Sequence, residues 1–208
     1  MKKSKREKKS NSWKIKQHRD QFFKRSKTLG YRSRASFKLA ELNKKFKFIK
    51  SNTNLLDLGS CPGGWSQVAN KIITKGKIMS IDIQDMEPLN NVKFLKGDIT
   101  DNETKFAVIQ FFKSNLDVII SDIAANTTGN KSLDSIRTNQ LCSDIINFSK
   151  DTLKPKGVLV SKVFMGEDFI EVKNLAKSVF KKVNFFKPES SRKESKETYL
   201  HCEILKSL

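Results

Sequence analysis

Residues 54–69 read NLLDLGSCPGGWSQVA. A short apolar run ends on Asp57, a turn carrying Gly59, Gly63 and Gly64 follows, and a helical pattern starts near Trp65. Strand, glycine turn and helix in that order open a βαβ unit and commit the chain to an α/β fold. Ligands of such sheets sit at the carboxyl ends of the strands, where the strand order reverses. Glycines there let a ligand touch bare backbone. The spacing G-S-C-P-G-G is neither the G-x-G-x-x-G of a dinucleotide-binding turn nor the G-K-[ST] of a P-loop. With Asp57 at its mouth, the turn suits a ligand with a positive end better than a phosphate.

The remaining pattern agrees with a mostly parallel sheet. Strands are expected at 54–58, 77–83, 92–98, 116–122, 157–164, 181–187 and 198–205, seven in all. Helix-length segments fill 65–75, 103–114, about 132–153 and 167–180. Runs such as VII and VLV read as strands covered on both faces. No helix separates the last two strands, so one of them is expected to run antiparallel. At 208 residues one domain is the expectation, since domains usually hold about 100–200 residues. It is taken as residues 13–208, with a basic helical segment over 13–50 and a disordered arm over 1–12.

Charge is concentrated at one end. The net charge is +19, and residues 1–38 hold 15 of the 41 Lys and Arg but two of the 22 acids. That is +13 in the first 38 residues and +6 in the other 170. Such an arm binds polyanions or merely solubilises; residues 1–12 lack the apolar anchors of a membrane-surface helix. No apolar run reaches the ~18 residues of a membrane span, and no secretory signal is apparent. Cys61, Cys142 and Cys202 form no CxxC pair. A reduced, cytoplasmic chain without disulfides, zinc or another metal is expected.

Two further strand-end acids bear on the ligand. Asp82 ends the second strand, 25 residues after Asp57, where a carboxylate accepts both hydroxyls of a ribose. Asp98 ends the third, where an oxygen takes the amino group of an adenine. Singly, each reads as well as a turn or cap residue. In order on successive strands they point to S-adenosylmethionine, with NAD still open.

Five segments go further: RSRASFKLAEL (32–42), DLGSCPGGWSQV (57–68), SDIAAN (121–126), SKVFMGEDF (161–169) and KPESSRKESKETY (187–199). In this order they resemble the FtsJ family of ribose 2′-O-methyltransferases, over about residues 12–205. The resemblance implies a Rossmann-like class I methyltransferase fold and S-adenosylmethionine as cofactor. It places a Lys-Asp-Lys-Glu tetrad on Lys38, Asp122, Lys162 and Glu197. Cofactor contacts fall on Gly63, Trp65, Asp82, Asp98 and Asp122, joining Asp57, Gly59 and Gly64 from the turn itself. One position departs: Ala125 stands where the family usually carries proline, which implies a softer loop around a retained Asp122 and Asn126.

The tetrad suits methylation of a hydroxyl. A ribose 2′-hydroxyl is a weak nucleophile until its proton leaves, and a lysine brought near working pH serves as base. Lys162 is assigned that role, or that of steering the hydroxyl, since two carboxylates beside two lysines favour the ammonium forms. Lys38 adds positive charge, Asp122 orients Lys162, and Glu197 orients Lys38 or the ribose. RNA contacts are expected from the arm and from Lys14, Lys16, Arg19, Lys24, Arg25, Lys27, Arg32 and Arg34. Phe22, Phe23 and Tyr31 either stack on bases or pack the N-terminal helices. Residues 190–195 read as a polar, mobile loop, and neither His18 nor His201 has a catalytic pattern.

By resemblance the substrate is a uridine in the A-loop of 23S rRNA within the large ribosomal subunit; a monomer is the default expectation, since no oligomer motif argues otherwise. The alternatives are the tRNA anticodon-loop methyltransferases and a non-catalytic assembly factor on the same scaffold. A nicotinamide oxidoreductase ranks last.

Overall fold

The computed structural model describes residues 20–126 and 128–206. Among the described residues two helices come first, α1 (Gln21–Thr28) and α2 (Ala35–Phe46). Then follow β1 (Leu55–Leu58), α3 (Gly64–Ile72), β2 (Ile78–Asp82), β3 (Val92–Lys96), α4 (Asn102–Phe112) and β4 (Leu116–Ser121). The chain continues through α5 (Lys131–Thr152), β5 (Leu153–Phe164), α6 (Phe169–Val179), β6 (Phe180–Phe186) and β7 (Glu197–Leu205).

The seven strands form one sheet in the order β3-β2-β1-β4-β5-β7-β6. β7 is the antiparallel strand: it pairs antiparallel with both β5 and β6, and the other described pairs are parallel. The order reverses between β1 and β4, so a crevice opens at their carboxyl ends. β5 begins at Leu153, four residues before the expected start, directly where α5 ends.

Both faces of the sheet are covered, and the pleat decides which side chain goes where. Leu56, Leu58, Ile119 and Leu159 pack with Cys142, Ile145 and Ile146 of α5 and Val172 and Ala176 of α6. Leu55, Val118, Ile120 and Val160 face the opposite way, against Leu39 and Leu42 of α2 and Trp65, Val68 and Ala69 of α3. Asp57, two residues after Leu55, shares that second face. It is therefore directed under α3, where its Oδ2 accepts the Ser66 hydroxyl at 2.6 Å.

The N-terminal helices are packed by their aromatics. Phe37 lies 5.5 Å from Phe22 and 5.8 Å from Tyr31, ring centre to ring centre. Asp20 caps α1 by accepting the amides of Phe22 and Phe23 at 3.0 and 3.2 Å. The segment expected to be a mobile loop is partly inside: Ser190 and Ser191 are buried. Glu41 of α2 accepts the amides of Glu189 and Ser190 at 2.6 and 3.1 Å.

Candidate active site

Register brings the polar cluster together. Lys162 on β5 stands directly opposite Tyr199 on β7, and Phe164 opposite Glu197. Opposed residues share a face, and Glu197 is two residues from Tyr199, so all three side chains point the same way. Ser121 pairs with Ser161, which places Asp122 beside Lys162 just past the end of β4. Lys38 comes down on this group from α2, on the buried face that holds Leu39 and Leu42.

The contacts are short. Lys162 Nζ lies 2.7 Å from Asp122 Oδ1 and donates to the Asp122 carbonyl at 2.9 Å. The Tyr199 hydroxyl donates to the same Oδ1 at 2.6 Å. Lys38 Nζ lies 2.8 Å from Glu197 Oε1 and 3.9 Å from Asp122 Oδ1. Two lysines and two carboxylates thus balance to zero charge while retaining 8–15 % side-chain exposure.

Burial alone would raise both carboxyls. For Asp122 it is outweighed by Lys162, Lys38 and the Tyr199 hydrogen bond, which hold the carboxyl below the ordinary range. For Glu197, Lys38 and Lys162 likewise overcome burial. Tyr199 goes the other way: burial, Asp122 and Glu197 keep its phenol well above its usual value, so it remains a donor.

A cleft of about 560 Å³ opens beside the cluster, with Asp122 on its wall. That volume suits a nucleoside-sized ligand. Gly59, Asp82 and Asp98 line it, with Ile83 and Gln84 near Asp82 and with Asn126, Arg137 and Gln140 among the lining residues. Asp82 accepts the Cys61 amide on Oδ2 and the Gln84 amide on Oδ1, both at 2.8 Å. These bonds fix the carboxylate and leave a lone pair on each oxygen. Asp98 takes the Thr100 amide and hydroxyl on Oδ1 at 2.9 and 2.8 Å, which leaves Oδ2 for the cleft. Gly59 has φ +71°, and a Cβ there would sit 2.4 Å from Ile123 Cγ1. Only glycine lets the first turn lie against the Asp122–Ile123 segment.

Several expected cofactor contacts are not among the residues lining this cleft. Asp57 does not stand at the mouth of the turn. It is buried between Ser66 and the sheet, and burial pushes its carboxyl up to about 7 despite the Ser66 hydrogen bond. Gly63, Gly64 and Trp65 are likewise not among the residues lining the cleft. Gly64 and Trp65 join the turn to α2, while Gly63 lies against Arg32 and Met86: a Cβ at Gly64 would meet Ser33 and Ser36, and the Trp65 indole donates to the Ala35 carbonyl at 2.8 Å.

Two of the four arginines expected to contact RNA, Arg32 and Arg34, have intramolecular partners. Arg32 donates to the carbonyls of Pro62, Glu87 and Pro88 at 3.2, 2.5 and 2.8 Å, bracing the loop after β2 against the glycine turn. Arg34 pairs with Asp20 and donates to the Ser190 carbonyl. Lys24, Arg25 and Lys27 are exposed on α1. Lys14, Lys16, Arg19 and the arm lie outside the described residues. Tyr199 had no assigned role, although its two-residue spacing from Glu197 on a strand marks the shared face. His201 stacks on Phe46 at 3.8 Å, and burial lowers its ring to about 4.

A seven-stranded parallel sheet with a reversed final strand, an acid at the tip of β2 and a Lys-Asp-Lys-Glu cluster at the reversal define a Rossmann-like methyltransferase. The FtsJ-like methyltransferase family matches residues 31–204, and the chain belongs to that family. Among its relatives, the ribosomal RNA large subunit methyltransferase E of Pelagibacter ubique (strain HTCC1062) is 45 % identical over 95 % of this chain and 97 % of its own length. The protein of the same name from Rickettsia akari (strain Hartford) is 42 % identical over 92 % and 87 %. Among solved structures, a ribosomal RNA methyltransferase from Plasmodium falciparum superposes with a TM-score of 0.75 at 32 % identity, covering 84 % of this chain and 98 % of its own. The resemblance and fold expected from the sequence are both borne out.

Proposed function

We propose that the protein transfers the methyl group of S-adenosylmethionine to a ribose 2′-hydroxyl of large-subunit ribosomal RNA. The observation that carries this reading is the contact of Lys162 with Asp122, itself a wall residue of the nucleoside-sized cleft. An acceptor placed against Lys162 is therefore next to whatever the cleft holds. The names of the relatives supply the RNA class.

The cleft fits the cofactor. Asp82 offers two braced oxygens for a ribose diol, and Asp98 one open oxygen for an amino group. Gly59 and Asp122 frame the part of the cleft nearest the tetrad. When bound there, S-adenosylmethionine supplies an electrophilic methyl whose leaving thioether is neutral, so no acid is required.

What remains is the proton of the acceptor. A neutral Lys162 amine has two N–H groups, which can face the Asp122 carbonyl and carboxylate, and a lone pair for the 2′-hydroxyl proton. Lys38 Nζ lies 3.9 Å from the same carboxylate oxygen, so Asp122 stands between the two lysines. Lys38 and Glu197 then form the other wall of the acceptor position. The exposed Lys24, Arg25 and Lys27 supply phosphate contacts outside it, and a uridine of the A-loop is the target.

Radiolabelled methyl transfer tests the proposal, offering unmodified large subunits, naked 23S rRNA and tRNA in parallel and mapping label to base or ribose. Label on a ribose of the subunits is the expected result. Label on tRNA alone would overturn the substrate, and label on a base would overturn the chemistry.

A further inference from the structure

Two residues of α2 and the cap residue before it grip the segment that leads into β7. Arg34, Lys38 and Glu41 are spaced i, i+4, i+7 and so occupy one stripe of the helix. Lys38 pairs with Glu197. Three residues further along the helix, Glu41 accepts the amides of Glu189 and Ser190. Four residues back, Arg34 donates to the Ser190 carbonyl while its other arm holds Asp20, the cap of α1. Ser190 is thus held at both its amide and its carbonyl by one helix face.

Resting on the methyltransferase reading, we propose that Glu41 and Arg34 are positioning residues that set Glu197 against Lys38. Between Ser190 and Glu197 the chain runs six residues of polar sequence, which alone would leave the approach to β7 free to drift. Internal ties shorten it: Lys187 Nζ donates to the carbonyls of Lys193 and Ser195, and the Ser195 hydroxyl accepts the Glu197 amide at 3.2 Å. On the far side, the Met165 amide donates to the Lys196 carbonyl at 3.0 Å. Anchoring Ser190 to α2 closes this framework onto the helix that carries Lys38. Glu197 is therefore tied on two sides, to Phe164 through the β5–β7 register and, through this framework, to the helix that carries Lys38. Arg34 also lies close enough to Glu197, Glu194 and Arg192 to feel their charges.

The test is Glu41→Ala, with Glu41→Gln as the conservative variant, read in two ways. In methyl transfer to large subunits, Glu41→Ala should lower kcat by an order of 10- to 100-fold, the scale of a misplaced catalytic group. Cofactor affinity should stay within about twofold, and Glu41→Gln should restore part of the loss. In a Glu197→Ala background the same substitution should change kcat by less than about twofold. An equal loss in both backgrounds, or wild-type kcat in Glu41→Ala, overturns the proposal. The second reading needs no RNA: the Glu197 carboxyl, followed by carbon NMR against pH, should titrate higher in Glu41→Ala as Lys38 loosens. An unchanged Glu197 titration also overturns it. If the wild type methylates no RNA while this titration moves, the functional reading fails and the clamp stands.

Discussion

Lys162 and Tyr199 face each other across the β5–β7 pair, and both reach the same oxygen of Asp122, at 2.7 and 2.6 Å. One donor is cationic when protonated and one is neutral, which fixes the carboxylate without neutralising it twice. Removing the neutral donor should therefore loosen Asp122 while leaving the ion pair. Tyr199→Phe is expected to cost about 1.5–3 kcal/mol, the scale for a hydrogen bond to a charged group. Urea unfolding at pH 7 measures it. Methyl transfer should persist at a reduced kcat, and a complete loss would assign Tyr199 more than this bond.

Lys162→Arg separates the two roles of that side chain. Arginine keeps the charge and donors but does not give up its proton in proteins. If Lys162 receives the 2′-hydroxyl proton, Lys162→Arg and Lys162→Ala should both lose on the order of 10²–10⁴ in kcat, the range for general-base catalysis. Cofactor binding by calorimetry should remain near wild type in Lys162→Ala. Substantial turnover by the arginine variant would make Lys162 a steering group.

Much of this site was legible in the sequence because strand ends are marked by composition. Asp82, Asp98 and Asp122 each close an apolar run, and all three line the cleft. Asp57 closes one too, yet the pleat sends it to the face of Leu55 and α3, a distinction a four-residue strand with every position buried does not show. Arg32 and Arg34 read as phosphate contacts because their partners are remote: Pro88 is 56 residues from Arg32, and Ser190 is 156 from Arg34. The same distance hid the burial of Ser190. Its polar neighbours imply solvent, whereas Glu41, 149 residues earlier, supplies the acceptor.

Gly59→Ala tests the close approach at the cleft. Its φ of +71° costs a side-chain-bearing residue about 1–2 kcal/mol in the backbone alone. The added Cβ also collides with Ile123, so the segment after Asp122 must move. Cofactor affinity should fall by tenfold or more, on the scale of about 1.4 kcal/mol, with a lowered Tm. Adding Ile123→Ala should recover only part of the affinity, because Ile123 Cα and N would also lie 3.0 and 3.1 Å from the new carbon.

Asp57 gives a pH dependence with a defined sign. Its carboxyl rises from an ordinary 3.8 to about 7 in the folded chain, chiefly through burial, with Asp122 and Asp82 adding to it and Ser66 opposing. Between those values the folded protein holds a proton that the unfolded chain releases. Its contribution is complete below about pH 4 and is lost as pH rises to 7, a loss of about 2–3 kcal/mol from pH 5 upward at 1.36 kcal/mol per unit. Asparagine is a neutral carboxamide of the same shape, and its oxygen still accepts the Ser66 hydroxyl. Urea unfolding of wild type and Asp57→Asn at pH 5 and pH 8 isolates this term as the difference between the two pH responses. The variant should gain on the wild type as pH rises. Parallel responses would mean that Asp57 keeps its charge inside the fold.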